Sequence, residues 1–89
     1  MEELTEAQKE EKFKAHFERA KKGVLKHVLE KGGSLEMGEM HDYSLNKYFI
    51  QHQRFSEMME FFVDNNFVTY DPETRIATIT DAGMGFIKE

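Results

Sequence analysis

The chain contains no cysteine. That removes disulfides, thiolate nucleophiles and cysteine-based zinc sites together, and leaves a hydrophobic core as the source of stability. Long apolar runs are also missing, so no segment approaches the length of a bilayer span. The opening Met1-Glu2-Glu3-Leu4-Thr5-Glu6 lacks the positive start and apolar stretch of a secretory signal. The expectation is a cytoplasmic chain with no membrane partner. Basic charge is in deficit as well: the net charge is −5, which argues against a general affinity for nucleic acid, because an acidic surface is repelled by phosphate.

What is present is enough for one domain, 1–89. A chain of 89 residues, 39% of them hydrophobic, can fold on a single core but has little room for a deep substrate cavity. The charge is unevenly spread. Residues 1–11 carry one Lys and five Glu, residues 12–31 carry seven Lys/Arg and two Glu, and residues 32–89 carry four Lys/Arg and ten Asp/Glu. The corresponding balances are −4, +5 and −6, a basic segment between two acidic ones. Residues 1–12 read as an acidic N-terminal extension of the first helix.

Thr5 and Gln8 resemble a capping box, and no proline interrupts the stretch from there to Lys31. The spacing predicts one long helix. Phe13, Phe17, Ala20, Val24 and Val28 form an apolar stripe that Leu25 and Leu29 widen, Gly23 is its weak point, and Gly32-Gly33 ends it. Ser34–Met37 reads either as a short extended piece or as the entry to a second helix containing Met37, Met40 and Tyr43. Ser44 is a candidate cap for a further turn, so residues 36–50 read as one irregular helix or two short ones.

From Gln53 to Asn65 the period is clear, with Phe55, Met58, Met59, Phe62 and Val63 on one side of a helix that Asn65-Asn66 closes. Phe67–Tyr70 and Ile76–Thr80 are rich in β-branched and aromatic residues and flank an Asp-Pro-Glu-Thr-Arg corner. Pro72 presets the turn and Asp71 can bond the backbone just ahead. Thr80 caps a last short helix with Met84 and Ile87 facing inward. An isolated hairpin is marginal in water, so this one must lie against the helices.

Helix, optional strand, helix, helix, hairpin and terminal turn, with Met58–Val68 followed by Ile79-Thr80-Asp81-Ala82-Gly83, resembles the winged helix-turn-helix domains of bacterial and archaeal regulators over roughly residues 20–88. The resemblance implies an α+β, mostly helical winged helix: three helices, a two-stranded β-hairpin wing and a short C-terminal helix, here with an extended first helix. It also implies a third helix that enters the major groove and a wing that touches the DNA backbone or minor groove.

The residues depart from that pattern. Opposite the apolar side of the third helix lie Gln53, Glu57, Glu60 and Asp64, an acidic stripe with only Arg54 at its margin. Carrying three carboxylates to a phosphate-lined groove costs repulsion and desolvation, and the return for an acid reading cytosine is only about 1–3 kcal/mol. The stripe is either a solvated face or a docking surface for something basic, with Phe61 beside it either as a candidate anchor or packed under the wing or the long helix. On the first helix Lys12, Arg19, Lys22 and Lys26 form a basic ridge. The ridge is a solvated face, a phosphate contact or a mate for the acidic stripe of a partner. Met37, Met40, Met58 and Met59 read first as gap-fillers of a small core and secondarily as an adaptable binding groove.

His16 and His27 stand eleven residues apart on a helix, about 16 Å, too far to share a metal. His41-Asp42 are adjacent and point apart. Gly32-Gly33 and Gly83-x-Gly85 lack the lysine and flanking strand of a phosphate loop. No nucleophile, base, metal set, cofactor motif or small-molecule site is nominated, so an enzyme is not expected. Two readings follow. The resemblance points to a small DNA-associated regulator contacting nucleic acid through Lys12, Arg19, Lys22, Lys26, Arg54 and Arg75 of the wing. The charge pattern points to a protein-binding winged helix that uses Glu57, Glu60, Phe61 and Asp64 without DNA. A homodimer is a further expectation, because Phe13 and Phe17 need cover.

Overall fold

In a computed structural model, which describes residues 6–88 and side chains from Lys12 onward, the chain is α+β and mostly helical. The elements run α1 (Glu6–Glu30), β1 (Ser34–Glu36), α2 (Met37–Tyr48), α3 (His52–Asp64), β2 (Val68–Asp71), β3 (Ile76–Ile79) and α4 (Asp81–Lys88). Thr5, the expected cap, and the first residues of the acidic extension lie outside the described residues.

The apolar stripe of α1 works along its second half. Ala20, Val24, Leu25 and Val28 are fully buried, Phe17 is partly buried, and Phe13 and Leu29 at the two ends stay exposed. The helix stops where Gly32 and Gly33 take φ of 99° and 92°, and their amides return to the carbonyls of Leu29 and Val28. Only glycine adopts that left-handed geometry without steric cost.

The reversal lays Ser34–Glu36 beside β3, so the optional strand is real and the sheet has three strands rather than the two of a bare hairpin. The order is β1-β3-β2, all antiparallel. Pairing β1 on the second edge of β3 satisfies backbone groups that a lone hairpin would leave open. The register sends Leu35, Ala77, Val68 and Ile79 inward, while Ser34 and Thr78 face out and share a 2.9 Å hydroxyl hydrogen bond. A strand therefore does adjoin Gly33, but it follows the glycines, whereas a phosphate loop follows its strand.

Residues 37–48 form one unbroken helix. Ser44 is not a cap: it is buried in mid-helix and its hydroxyl donates to the His41 carbonyl at 2.8 Å, an intrahelical option open to serine. The helix ends at Phe49, whose φ of 59° is left-handed, with the Phe49 and Ile50 amides returning to Leu45 and Ser44. That sharp turn drops Ile50 into the core and leaves Phe49 81% exposed.

Helix α3 buries Phe55, Met58, Met59 and Phe62 as its period predicts, but Val63 is 43% exposed. Asn66 takes the left-handed conformation after it. In the hairpin the Glu73 amide donates to Asp71 Oδ1 at 2.9 Å, the Asx turn expected there. Thr80 caps α4 as expected, accepting from the Gly83 amide at 3.1 Å, while its hydroxyl donates to the Asn66 carbonyl. Capping hydroxyls of this kind contribute about 1 kcal/mol. Within α4, Gly83 and Phe86 are the buried residues, and Met84 and Ile87 pack only partly against the core.

Candidate functional site: the face of α3 and its groove

The acidic stripe does not survive intact. Arg54 and Glu57, three residues apart on α3, form an ion pair at 3.0 Å, and the Arg54 guanidinium also lies 4.8 Å from the Phe13 ring centroid. One carboxylate and the stripe's marginal cation thus satisfy each other, at an exposed position where such a pair adds little stability. Glu60 and Asp64 remain exposed, and neither forms an ion pair among the described residues.

Phe61 is not an exposed anchor. It is half-buried, with ring centroids 5.6 Å from Phe67 and 5.8 Å from Phe86, and Phe67 stacks on Phe86 at 4.6 Å. These three rings come from the end of α3, the approach to β2 and from α4, and they meet under α1. The residue that seals them was missed in the sequence. Lys21 is 8% exposed; its Nζ sits 3.8 Å from the Phe61 centroid and 4.9 Å from that of Phe17, and it pairs with Glu18 at 2.9 Å. An ammonium is attracted both to ring faces and to a neighbouring carboxylate. The signal was its spacing, four residues from both Phe17 and Leu25, which puts Lys21 on the apolar stripe rather than on the ridge.

The basic ridge is only partly free for a ligand. Lys12, Arg19 and Lys26 are exposed, whereas Lys22 is half-buried with its Nζ 5.5 Å from the Phe86 centroid. Arg75 is exposed at the hairpin tip with a left-handed φ of 61°, beside the exposed carboxylates of Asp71 and Glu73. The tip is therefore acidic on balance.

Phe13, expected to need cover from another chain, has intramolecular neighbours: it stacks on Phe17 at 5.4 Å and under Arg54. The histidines take structural places. His16 Nε2 lies 2.6 Å from the Tyr48 carbonyl, and His27 stacks on Tyr43 at 3.8 Å with nearly parallel rings. His41 and His52, from different helices, do come together, with centroids 5.4 Å apart. Tyr43 has its pKa raised above the ordinary tyrosine value, first by burial and then by the neighbouring Tyr48 and by Glu30.

Beside the acidic residues lies a groove of about 560 Å³ between the start of α2, α3 and β2. Its walls are mostly apolar. Met37 comes from α2, Phe55, Met59 and Val63 from α3, and Tyr70 from β2, with Asp42, Glu60 and Asp64 also lining it. Volumes of this order, with an apolar lining and a few charges, are those of binding sites. Met37 and Met59, whose secondary reading is an adaptable lining, stand in its walls, whereas Val63, which the helical period assigns to the core, is exposed beside it. Among the described residues, no group of three or more His, Asp or Glu could hold a metal ion, and no helix is long and apolar enough to cross a membrane.

Compared with known proteins, the chain matches no family model, no curated protein and no solved structure.

Proposed function

We propose that the chain is a non-enzymatic winged-helix module that binds protein through α3 and does not read DNA with it. The winged-helix reading is supported by the element order and by a β3 strand flanked by β1 and β2. The observation that carries the functional reading is the outer face of α3: Glu60 and Asp64 stand exposed at the edge of an apolar groove, and Arg54, the arginine of that helix, is taken up by Glu57 and Phe13.

A helix in the groove-reading position needs cations and amides toward base edges and phosphates. This one offers carboxylates. The hairpin tip, with Asp71 and Glu73 around Arg75, is no better suited to a phosphate backbone. A basic protein surface meets the same face without penalty, and charge complementarity sets its orientation and rate of encounter.

Titration with duplex DNA at low salt tests this reading. The expected result is no saturable binding, and association with a basic protein partner that Glu57→Lys with Glu60→Lys abolishes while the fold is kept. Duplex binding that falls with salt and is lost on changing Lys22 and Lys26 to Glu would overturn it, and would assign the exposed ridge of α1 to phosphate instead.

A further inference from the structure

We infer that the groove between α2, α3 and β2 is the seat of a basic amphipathic helix from a partner protein, whose apolar side lies on Met59 and Val63 and whose lysines or arginines meet Asp42, Glu60 and Asp64. The inference rests on the protein-binding reading above and names the occupant.

The shape of the groove selects a helix. Its long wall comes from α3 alone, through His52, Phe55, Ser56, Met59, Glu60 and Val63, residues that recur at three- and four-residue steps along about 16 Å of helix axis. A ligand matching that repeat presents apolar anchors at i, i+3 or i+4, and i+7, the pattern by which amphipathic helices fill hydrophobic grooves. Met37 and Met59 give the lining side chains that adapt to an anchor without a fixed shape.

The charges select a basic one. Asp42, Glu60 and Asp64 are exposed carboxylates lining a groove whose surface is otherwise largely apolar. Facing them with an acidic or neutral segment would leave that charge unanswered; flanking lysines or arginines answer it and fix the direction of docking. His41 stands beside Asp42, its Nδ1 3.7 Å from the Asp42 carboxylate. It lines the same groove, and its Nε2 is buried with no hydrogen-bond partner among the described residues.

A second copy of the chain is a poor occupant. Its basic helix is α1, whose central apolar residues Ala20, Val24, Leu25 and Val28 are fully buried in its own core, leaving the large apolar side chains Phe13 and Leu29 exposed only at opposite ends of the described stretch. The partner is therefore a different protein.

The test uses the isotope-labelled chain and two synthetic helix-forming peptides of about sixteen residues, about 24 Å of helix. Both carry leucines at i, i+3, i+4 and i+7; one is flanked by lysines, the other by glutamates. Nuclear magnetic resonance titration should show saturable shifts centred on Met59, Val63 and Tyr70 with the lysine peptide only. Val63→Asp should weaken binding by about tenfold or more, and Glu60→Lys with Asp64→Lys should do so with loss of salt dependence. Glu73→Lys, a like charge change on the hairpin, should leave binding unchanged.

Should a variant unfold, the wild-type shift map still decides. If the lysine peptide binds but perturbs only the Glu57 side of α3, the groove is not the seat, although the protein-binding reading stands. No preference for lysine over glutamate, or no binding by either, overturns the inference, and the parent reading is then judged separately by the duplex titration. Self-association abolished by Val63→Asp would give the groove to a second copy and also overturn it.

Discussion

The ring of Tyr48 occupies the space that a β-carbon on Gly23 would fill. A glycine in mid-helix costs about 1 kcal/mol relative to alanine, yet here it lets α2 close on α1 with Tyr48 as the contact. Gly23→Ala should gain that propensity and lose more to overpacking, for a net destabilisation of about 1–2 kcal/mol. In a Tyr48→Ala background the same change should become stabilising. Denaturant unfolding of the four members of the cycle measures the coupling, and additive effects would show that the close approach has no energetic weight.

Lys21 behaves as a core residue with a charged tip. Lys21→Ala removes packing over Phe61 and Phe17 together with the cation above the rings, and should cost about 2 kcal/mol. Arg19→Ala, on the exposed side of the same helix, should stay within about 0.5 kcal/mol of the parent. Thermal unfolding of the two variants side by side gives the contrast.

Phe49 combines a left-handed backbone with an 81% exposed ring, a conformation uncommon for a bulky side chain. Asparagine tolerates that conformation and forfeits no buried contact. Phe49→Asn should therefore stabilise the fold by about 0.5–1 kcal/mol, measured as a higher denaturant midpoint with an unchanged slope. A loss of stability instead would mean that the ring does pack.

Tyr43 supplies a pH dependence with a defined sign. Its folded pKa is raised above the ordinary tyrosine value of 10.0, chiefly by burial, so its contribution is fully present below pH 10. Above that value the unfolded chain releases the proton first, and stability falls as pH rises toward the folded pKa. Tyr43→Phe should flatten the decline between neutral and strongly alkaline pH. Equal slopes for both proteins in alkaline urea titrations would count against a buried hydroxyl.

Much of the fold was legible in local chemistry. The four-three spacing from Phe17 to Val28 fixed the buried face of α1, Gly32-Gly33 fixed its end, Asp71 and Pro72 fixed the hairpin corner, and Thr80 fixed the start of α4. Each is a signal carried by residues within a few positions of one another, where sterics and hydrogen bonding act without help from the rest of the chain.

The site was less legible, because its properties depend on residues distant in sequence. A helical wheel put Val63 with the core and Phe61 at the edge of a docking face. Packing reversed the first, leaving Val63 beside a groove that α2 and β2 complete, and decided between the two readings of Phe61, which is enclosed by Lys21, Phe67 and Phe86 from three other segments. In the same way β1 became a strand only because Gly33 turned the chain alongside β3.

Outside residues 34–50, the sequence by itself determined the element types, most of their ends and the acidic character of α3, since these follow from periodicity, turn chemistry and charge along one local stretch. Tertiary structure alone decided which carboxylates stay unpaired, which lysine is buried and where apolar surface remains open. Those outcomes depend on which distant side chains share the same few ångströms, and a one-dimensional pattern does not specify that.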